Sequence, residues 1–313
     1  MKIMVMGSGG IGAYYGGLLA QQGNDVTFIA RGAHLDALRE KGLQVKSIFG
    51  DFIIAPAKTT DNPAEVESVD LILFCVKTYS TDEAAETIQP AIGPQTTVLS
   101  LQNGVDAPER IGKIVGMEHV LAGMTHISSA LEAPGVIKQV SQFRRIVFGE
   151  LDGTISARIQ SIYEVLKSSG ITVEMTVDVR KALWTKFVFI SSASSFGSLT
   201  HLPMGDYRSI PETRAMITSL MREVEALARA SGVKLDADVV QKSLEFIDNA
   251  APHIKASMQL DVEGGRRTEL DSMVGAIGRK GRDLGVPTPV ADFIYASLLP
   301  IELKARKGAS PTL

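Results

Sequence analysis

The chain has a single cysteine, Cys75, in 313 residues. An internal disulfide is therefore excluded, and the thiol's place in the apolar run 71–76 reads as small buried filler. Five histidines show no metal-ligand spacing, and no second cysteine is there to join them, so no metal site is expected. No apolar run approaches the roughly eighteen residues that span a bilayer. Neither sign of charge dominates: 32 Lys and Arg against 35 Asp and Glu leave a net charge of -3. Without a basic face or arm, nucleic acid is not an expected partner. A serine nucleophile elbow is also missing. The basic-then-apolar start is taken up by a strand and a glycine loop, so no secretory leader is expected and a cytoplasmic enzyme is the default. What remains is 45% hydrophobic and 21% charged residues, an ordinary globular composition. The length allows two domains, each with a sizeable core.

The most informative stretch is the first. An apolar strand runs directly into Gly7, Ser8, Gly9, Gly10, Ile11 and Gly12, which gives glycines at the spacing G-x-G-x-x-G. The first glycine permits a tight strand-to-helix turn. The second lets a pyrophosphate approach the backbone, and the third lets helix and strand pack closely. The helix N-terminus then offers N–H groups to the anion. Three such glycines mean little alone in a chain with 29 of them. Here they sit in a complete βαβ pattern, with a helix over 11–22 and a second strand over 25–30. The residue after that strand is Arg31, where an NAD site usually carries Asp or Glu for the ribose hydroxyls. A carboxylate would repel a 2′-phosphate, whereas a guanidinium binds it through charge-assisted hydrogen bonds. The cofactor expected is therefore NADPH/NADP+.

Strand and helix patterns alternate through the first half. The continuous apolar run 70–76 reads as a central parallel strand buried on both faces. Further strands are expected over 97–101 and 119–125, and as separate pieces over 136–139 and 145–148. From about Val177 the pattern is purely helical, over 179–196, 211–231, 236–249, 269–284 and 289–304. The fold class expected is α/β, a doubly wound, Rossmann-type domain over 1–174 followed by an all-α domain over 175–313. The tail 307–313 is expected to fray. In such sheets ligands bind beyond the carboxyl ends of the strands. A helical domain covering that edge would make the cleft between domains the active site. Apolar helical faces in the second half would serve either as core or as the surface of a homodimer.

Several residues carry candidate chemistry. Lys186 lies in the apolar helix segment 183–190. A desolvated amine there would be a usable proton donor near neutral pH, whereas a snorkelling one would keep its head in water. Thr268 and Asp271 have capping-box spacing, which places Glu269 in a first helical turn. Asn103 with Gly104 reads as a turn after a strand. Lys77 would bind phosphate or face solvent, and Ser257 would serve as a helix cap.

Taken together these segments resemble the ketopantoate reductase (2-dehydropantoate 2-reductase) family, from Met1 to about Leu303. The resemblance rests on the glycine loop and on six further stretches. They are the Ala30-Arg31-Gly32-Ala33-His34-Leu35 segment, Phe74-Cys75-Val76-Lys77-Thr78, Leu101-Gln102-Asn103-Gly104, Leu183-Trp184-Thr185-Lys186-Phe187, and the serine and glutamate segments around Ser257 and Glu269. It implies NADPH-dependent reduction of a small 2-keto acid, most directly ketopantoate to pantoate in pantothenate biosynthesis. By that resemblance Arg31, Lys77 and Asn103 would hold the cofactor. Lys186 would be the general acid, with Glu269 beside it, and Asn103, Lys186, Ser194, Ser257 and Glu269 would face the substrate. Family members often carry asparagines four and eight residues after the lysine and another before the serine. This chain has Ile190, Ser194 and Ile254 there, which makes the pocket more apolar and leaves the particular 2-keto acid open. A reductase of a different 2-keto acid is the enzymatic alternative. An NADP(H)-binding sensor without turnover is the alternative from another class, and it would have no use for a reactive Lys186 and Glu269.

Overall fold

The computed structural model describes residues 1–308; the expectation for the tail lies, from 309 on, outside the described residues. The chain forms two compact units. One comprises Met1–Gln102 and Asp106–Ala182, the other Asn103–Val105 with the chain from Leu183 onward.

The first unit is built on one sheet. In chain order it contains β1 (Lys2–Met6), α1 (Gly10–Gln21), β2 (Asp25–Ile29), α2 (Gly32–Lys41), β3 (Leu43–Ser47), β4 (Phe52–Ile54) and β5 (Lys58–Thr60). There follow β6 (Leu71–Phe74), α3 (Thr81–Thr87), β7 (Thr97–Ser100), α4 (Ala107–Val115), β8 (Val120–Ala133), β9 (Val136–Gly149), α5 (Ala157–Ser168) and β10 (Thr172–Met175). The strand order β5-β2-β1-β6-β7-β8 is parallel throughout, so the doubly wound reading holds. Burial explains why these runs are strands. Ile3 and Val5 join the core on one face of the sheet, and Met4 and Met6 join the core on the other. A parallel strand covered on both sides has no need of polar alternation. Strand order reverses direction at β1, flanked by β2 and β6, which is where such sheets open a ligand crevice.

Two expectations about this sheet need correction. The pieces expected over 119–125, 136–139 and 145–148 belong to one long antiparallel hairpin, β8 with β9, each of 14 residues. Its outer half pairs with β3. There β9 alternates buried Ile137 and Gln139 with exposed Lys138 and Val140, whereas β8 is largely exposed beyond Ile127. No period-2 signal therefore joins the pieces into one hairpin. The strands β5 and β10 were not anticipated either. They are three and four residues long, too short for a pattern.

From Val179 on, every regular element among the described residues is helical. These are α6 (Val179–Thr200), α7 (Met204–Tyr207), α8 (Pro211–Ala230), α9 (Val239–Asn249), α10 (Ser257–Glu263), α11 (Ala276–Leu284) and α12 (Pro289–Gly308). A short π-helical turn, Asp271–Gly275, leads into α11. In α8 the buried residues Ile217, Leu220, Met221, Val224 and Leu227 repeat at helical spacing and form its core face. Glu223 on the same helix accepts from the N–H groups of Val290 and Ala291 at 2.8 and 3.0 Å. It thereby satisfies two of the orphan donors at the start of α12. The division expected after residue 174 falls within β10, and the two compact units part after Ala182, inside α6.

Candidate active site

The loop after β1 has three glycines with three different needs. Gly7 has φ +95°, a conformation that side chains avoid, and a Cβ there would lie 2.7 Å from the Val76 nitrogen. A Cβ on Gly12 would lie 2.2 Å from the Gly7 carbonyl oxygen and 2.9 Å from Val5 Cγ1, so the helix start can press onto the strand only without one. Gly9 is different: nothing lies within 4 Å of where its Cβ would be. Its glycine therefore leaves an approach to the backbone open. Beside it, the buried Ser8 Oγ has no hydrogen-bond partner. Helix α1 begins at Gly10 with no side-chain cap and no acidic residue in its first turn. An open glycine, an orphaned hydroxyl and an uncapped helix start fit a pyrophosphate.

Arg31 stands at the N-cap of α2 in extended backbone, just beyond β2. Its guanidinium lies 3.6 Å from Glu83, and both side chains are nearly half exposed. A pair so exposed is worth little, and its guanidinium could exchange the carboxylate for a phosphate. Lys77 is half-buried in the turn after β6, at the N-cap of a short 3₁₀ turn over Thr78–Ser80. One residue here was quoted in the sequence without a role. Gln102, only 5% exposed, donates from Nε2 to the Val76 carbonyl and to Thr81 Oγ1, both at 2.9 Å. It ties the turn after β7 to the turn after β6, and so fixes the backbone on either side of Lys77. Its signal was a polar side chain directly after an apolar strand.

The second unit assembles the other candidates. Leu183, Trp184, Phe187 and Val188 are buried around Lys186 on α6. Lys186 itself is half-buried. Burial pulls its pKa down from 10.5 to about 8, with the Glu269 carboxylate opposing that fall. Its Nζ donates to Asn103 Oδ1 at 2.9 Å. Asn103 comes from the turn in which Gly104 has φ +95°, and with Val105 it belongs to this unit rather than to the sheet that precedes it. Glu269 is 5% exposed. One and two turns along α6 from Lys186, on the same face, stand half-buried Ile190 and buried Ser194. Ile254 is 40% exposed.

The capping box expected around Glu269 does not form. Glu302 of α12, 1% exposed, takes the place foreseen for Asp271. Its Oε2 accepts from the Thr268 N–H at 2.8 Å and from Thr268 Oγ1 at 2.6 Å. Asp271 turns instead to Tyr295 and Arg306, which donate to it at 2.6 and 2.7 Å. Glu269 accordingly lies just before the helical turns, its carbonyl accepting from Ser272 and Met273 at 3.1 and 2.9 Å. It is thus held by anchored residues on both sides. A capping box is a local device, and a distant carboxylate that replaces it leaves only a faint trace in sequence: one acid amid Pro300, Ile301 and Leu303. Ser257 is likewise not a cap; it is the exposed first residue of α10, and the N-cap is Ala256.

A parallel doubly wound sheet with an open glycine cradle, followed by helices that carry a half-buried lysine near a carboxylate, defines a nicotinamide-dependent oxidoreductase. Residues 3–153 match the family described as ketopantoate reductase PanE/ApbA, and residues 178–302 match its C-terminal counterpart. The chain belongs to the ketopantoate reductase family. It is 31% identical over 300 residues to the uncharacterised oxidoreductase YkpB of Bacillus subtilis, covering 95% of this chain and 98% of that one. A PanE/ApbA family ketopantoate reductase from Ralstonia eutropha superposes with TM-score 0.90 at 31% identity, covering 98% of this chain and all of its own. A D-mandelate dehydrogenase solved with NADH and anilino(oxo)acetate gives TM-score 0.90 at 26% identity, covering 98% and 99%. The family thus binds a nicotinamide cofactor and includes enzymes for more than one small substrate. Among the described residues no helix is long and apolar enough to cross a membrane, and no cluster of side chains could hold a metal ion.

Proposed function

We propose that the protein reduces a small 2-keto acid with NADPH, ketopantoate first among candidates, and that Lys186 is the general acid. The observation that carries this reading is the environment of that lysine: a half-buried amine among apolar neighbours, brought to about 8 by burial and aimed by Asn103 at 2.9 Å. A proton donor works best when its pKa lies near the working pH. The glycine loop would hold the pyrophosphate, Arg31 the 2′-phosphate, and Lys77 and Asn103 would complete the cofactor's contacts. When bound, NADPH supplies the hydride that goes to the carbonyl carbon. The Lys186 ammonium gives its proton to the carbonyl oxygen as negative charge develops there. The neutral amine that remains is reprotonated from water. Glu269, by its charge, keeps enough of the amine protonated to act, while Ser194 and Ser257 would offer hydroxyls to the substrate. A reactive pair of this kind has no use in a sensor.

A second substrate is favoured by a specific observation. Ile190 and Ser194 follow Lys186 on one face of α6, and the mandelate dehydrogenase neighbour works without a pantoate-like hydroxyl. A 2-keto acid with an apolar side chain would suit that face. The test is NADPH oxidation followed at 340 nm with ketopantoate and a panel of aliphatic and aromatic 2-keto acids. Ketopantoate is expected to turn over, and Ile190→Asn to lower its KM. A rival substrate more than tenfold better in kcat/KM would transfer the assignment to that acid. No turnover with any would remove the reductase reading.

A further inference from the structure

The glycine loop is held from a side that the cofactor reading does not use. His34, in the first turn of α2, meets two backbone groups at once. Its Nε2 lies 2.8 Å from the Ser8 carbonyl oxygen, and the Gly135 N–H donates to its Nδ1 at 2.9 Å. An amide donor requires a bare lone pair on Nδ1, so the ring proton sits on Nε2 and is donated to Ser8. Gly135 is the tip of the β8–β9 hairpin. The same hairpin reaches the loop a second time, through Ser129 Oγ, which donates to the Gly10 carbonyl at 2.8 Å. Contact there is close: a Cβ on Gly10 would lie 2.4 Å from the Ser129 carbonyl oxygen.

Each of these bonds fixes more than one atom. A trans peptide is planar, with C=O and N–H pointing in opposite directions. Holding the Ser8 carbonyl therefore aims the Gly9 N–H the other way, and holding the Gly10 carbonyl does the same for the Ile11 N–H. The first is the amide of the open position Gly9 itself, and the second lies in the first turn of α1. We propose that His34, aided by Ser129, is a positioning residue for the dinucleotide, setting the two peptide planes whose N–H groups receive the pyrophosphate. The proposal rests on the glycine loop being the cofactor's phosphate site. It concerns the part common to NADH and NADPH, so it is separable from any role of Arg31.

The experiment is a fluorescence titration of NADPH and of NADH into wild type, His34→Ala, His34→Gln and Ser129→Ala, without substrate. His34→Ala is expected to raise both dissociation constants by the same factor, roughly three- to tenfold, the worth of one hydrogen bond. His34→Gln, whose amide can donate to Ser8, is expected to recover most of that loss. Ser129→Ala is expected to weaken both cofactors equally, and keeps the test open if His34→Ala does not fold. Unchanged affinity in a His34→Ala protein with a lowered melting temperature would overturn the proposal, since the residue would then only stabilise the fold. Loss confined to NADPH would overturn it as well. Wild type that bound neither cofactor would overturn the glycine-loop reading itself.

Discussion

Lys186→Met separates what the lysine costs the fold from what it gives the reaction. Methionine nearly preserves the apolar stem and removes the amine. Consider stability first. In the unfolded chain the amine keeps its ordinary pKa of 10.5, and in the native protein burial brings it to about 8. The gap corresponds to roughly 3 kcal/mol against the charged form. The sign follows from proton counting. Below about 8 the amine is charged in both states and the penalty is present in full. Between about 8 and 10.5 the unfolded state binds the proton and the native state does not, so wild-type stability rises with pH. The Met variant lacks that rise. Urea unfolding of both proteins from pH 7 to pH 10.5, with wild type minus variant taken at each pH, should show an increase of up to roughly 3 kcal/mol. The difference matters more than either curve, because other ionisations cancel in it. Turnover should behave oppositely. The variant should lose roughly 10²–10⁴ in kcat with cofactor affinity little changed, and wild-type kcat should fall about tenfold per pH unit above the amine's pKa. Parallel stability curves would refute the desolvated amine, and near-normal turnover in the variant would refute its role as acid.

Other expectations follow from the same geometry. Arg31→Ala should weaken NADPH by about 1.5–3 kcal/mol, the value of a charge-assisted hydrogen bond, and leave NADH nearly unaffected; equal losses would remove the 2′-phosphate assignment. Burial holds His34 below its ordinary 6.5 against the opposing pull of the Ser8 carbonyl. Its contribution to stability is therefore intact above 6.5 and declines as pH falls below that value, and a His34→Gln protein with the same acid profile would contradict it. Glu302→Ala leaves the Thr268 N–H and hydroxyl without their acceptor, at a cost of about 1–3 kcal/mol; an unchanged urea midpoint would refute it. Burial pushes the Cys75 thiol up to about 12, so a disulfide reagent at pH 8 should label the native protein far more slowly than the urea-unfolded chain; equal rates would refute it.

The sequence was most legible where the physics is local. A strand buried on both faces must be a continuous apolar run, and Leu71–Phe74 could be read directly. Gly7 and Gly12 announced a tight turn because no other residue satisfies their backbone and packing. Lys186 was legible as a lysine among apolar neighbours, but whether its amine reached water depended on Asn103 and Glu269, both distant in the chain. The same limit applies to Glu302. Thr268 and Asp271 have the spacing of a local cap, and only the fold brings a better acceptor from α12. The outer half of the β8–β9 hairpin was legible only on β9, where buried Ile137 and Gln139 alternate with exposed neighbours; on β8 the run from Ser128 to Ala133 is largely exposed and has no hydrophobic period to betray it. His34 and Ser129 gain their meaning only from that hairpin.

Asn103–Val105 travel with a unit whose main body starts at Leu183, and this bears on how such a protein can be cut, shuffled or assembled. A gene fragment encoding the helices alone would express Lys186 without the amide oxygen that accepts its hydrogen bond. A fragment ending before the helices would carry Asn103 with nothing to receive it. Neither half is a module in the sense of a transferable part. Exchanging helical halves between relatives to alter substrate choice would require the Asn103 turn to be exchanged with them, as a second, separate insert. Ribosomal synthesis imposes the same order: the turn emerges long before α6, and the lysine's surroundings are complete only when the later chain arrives.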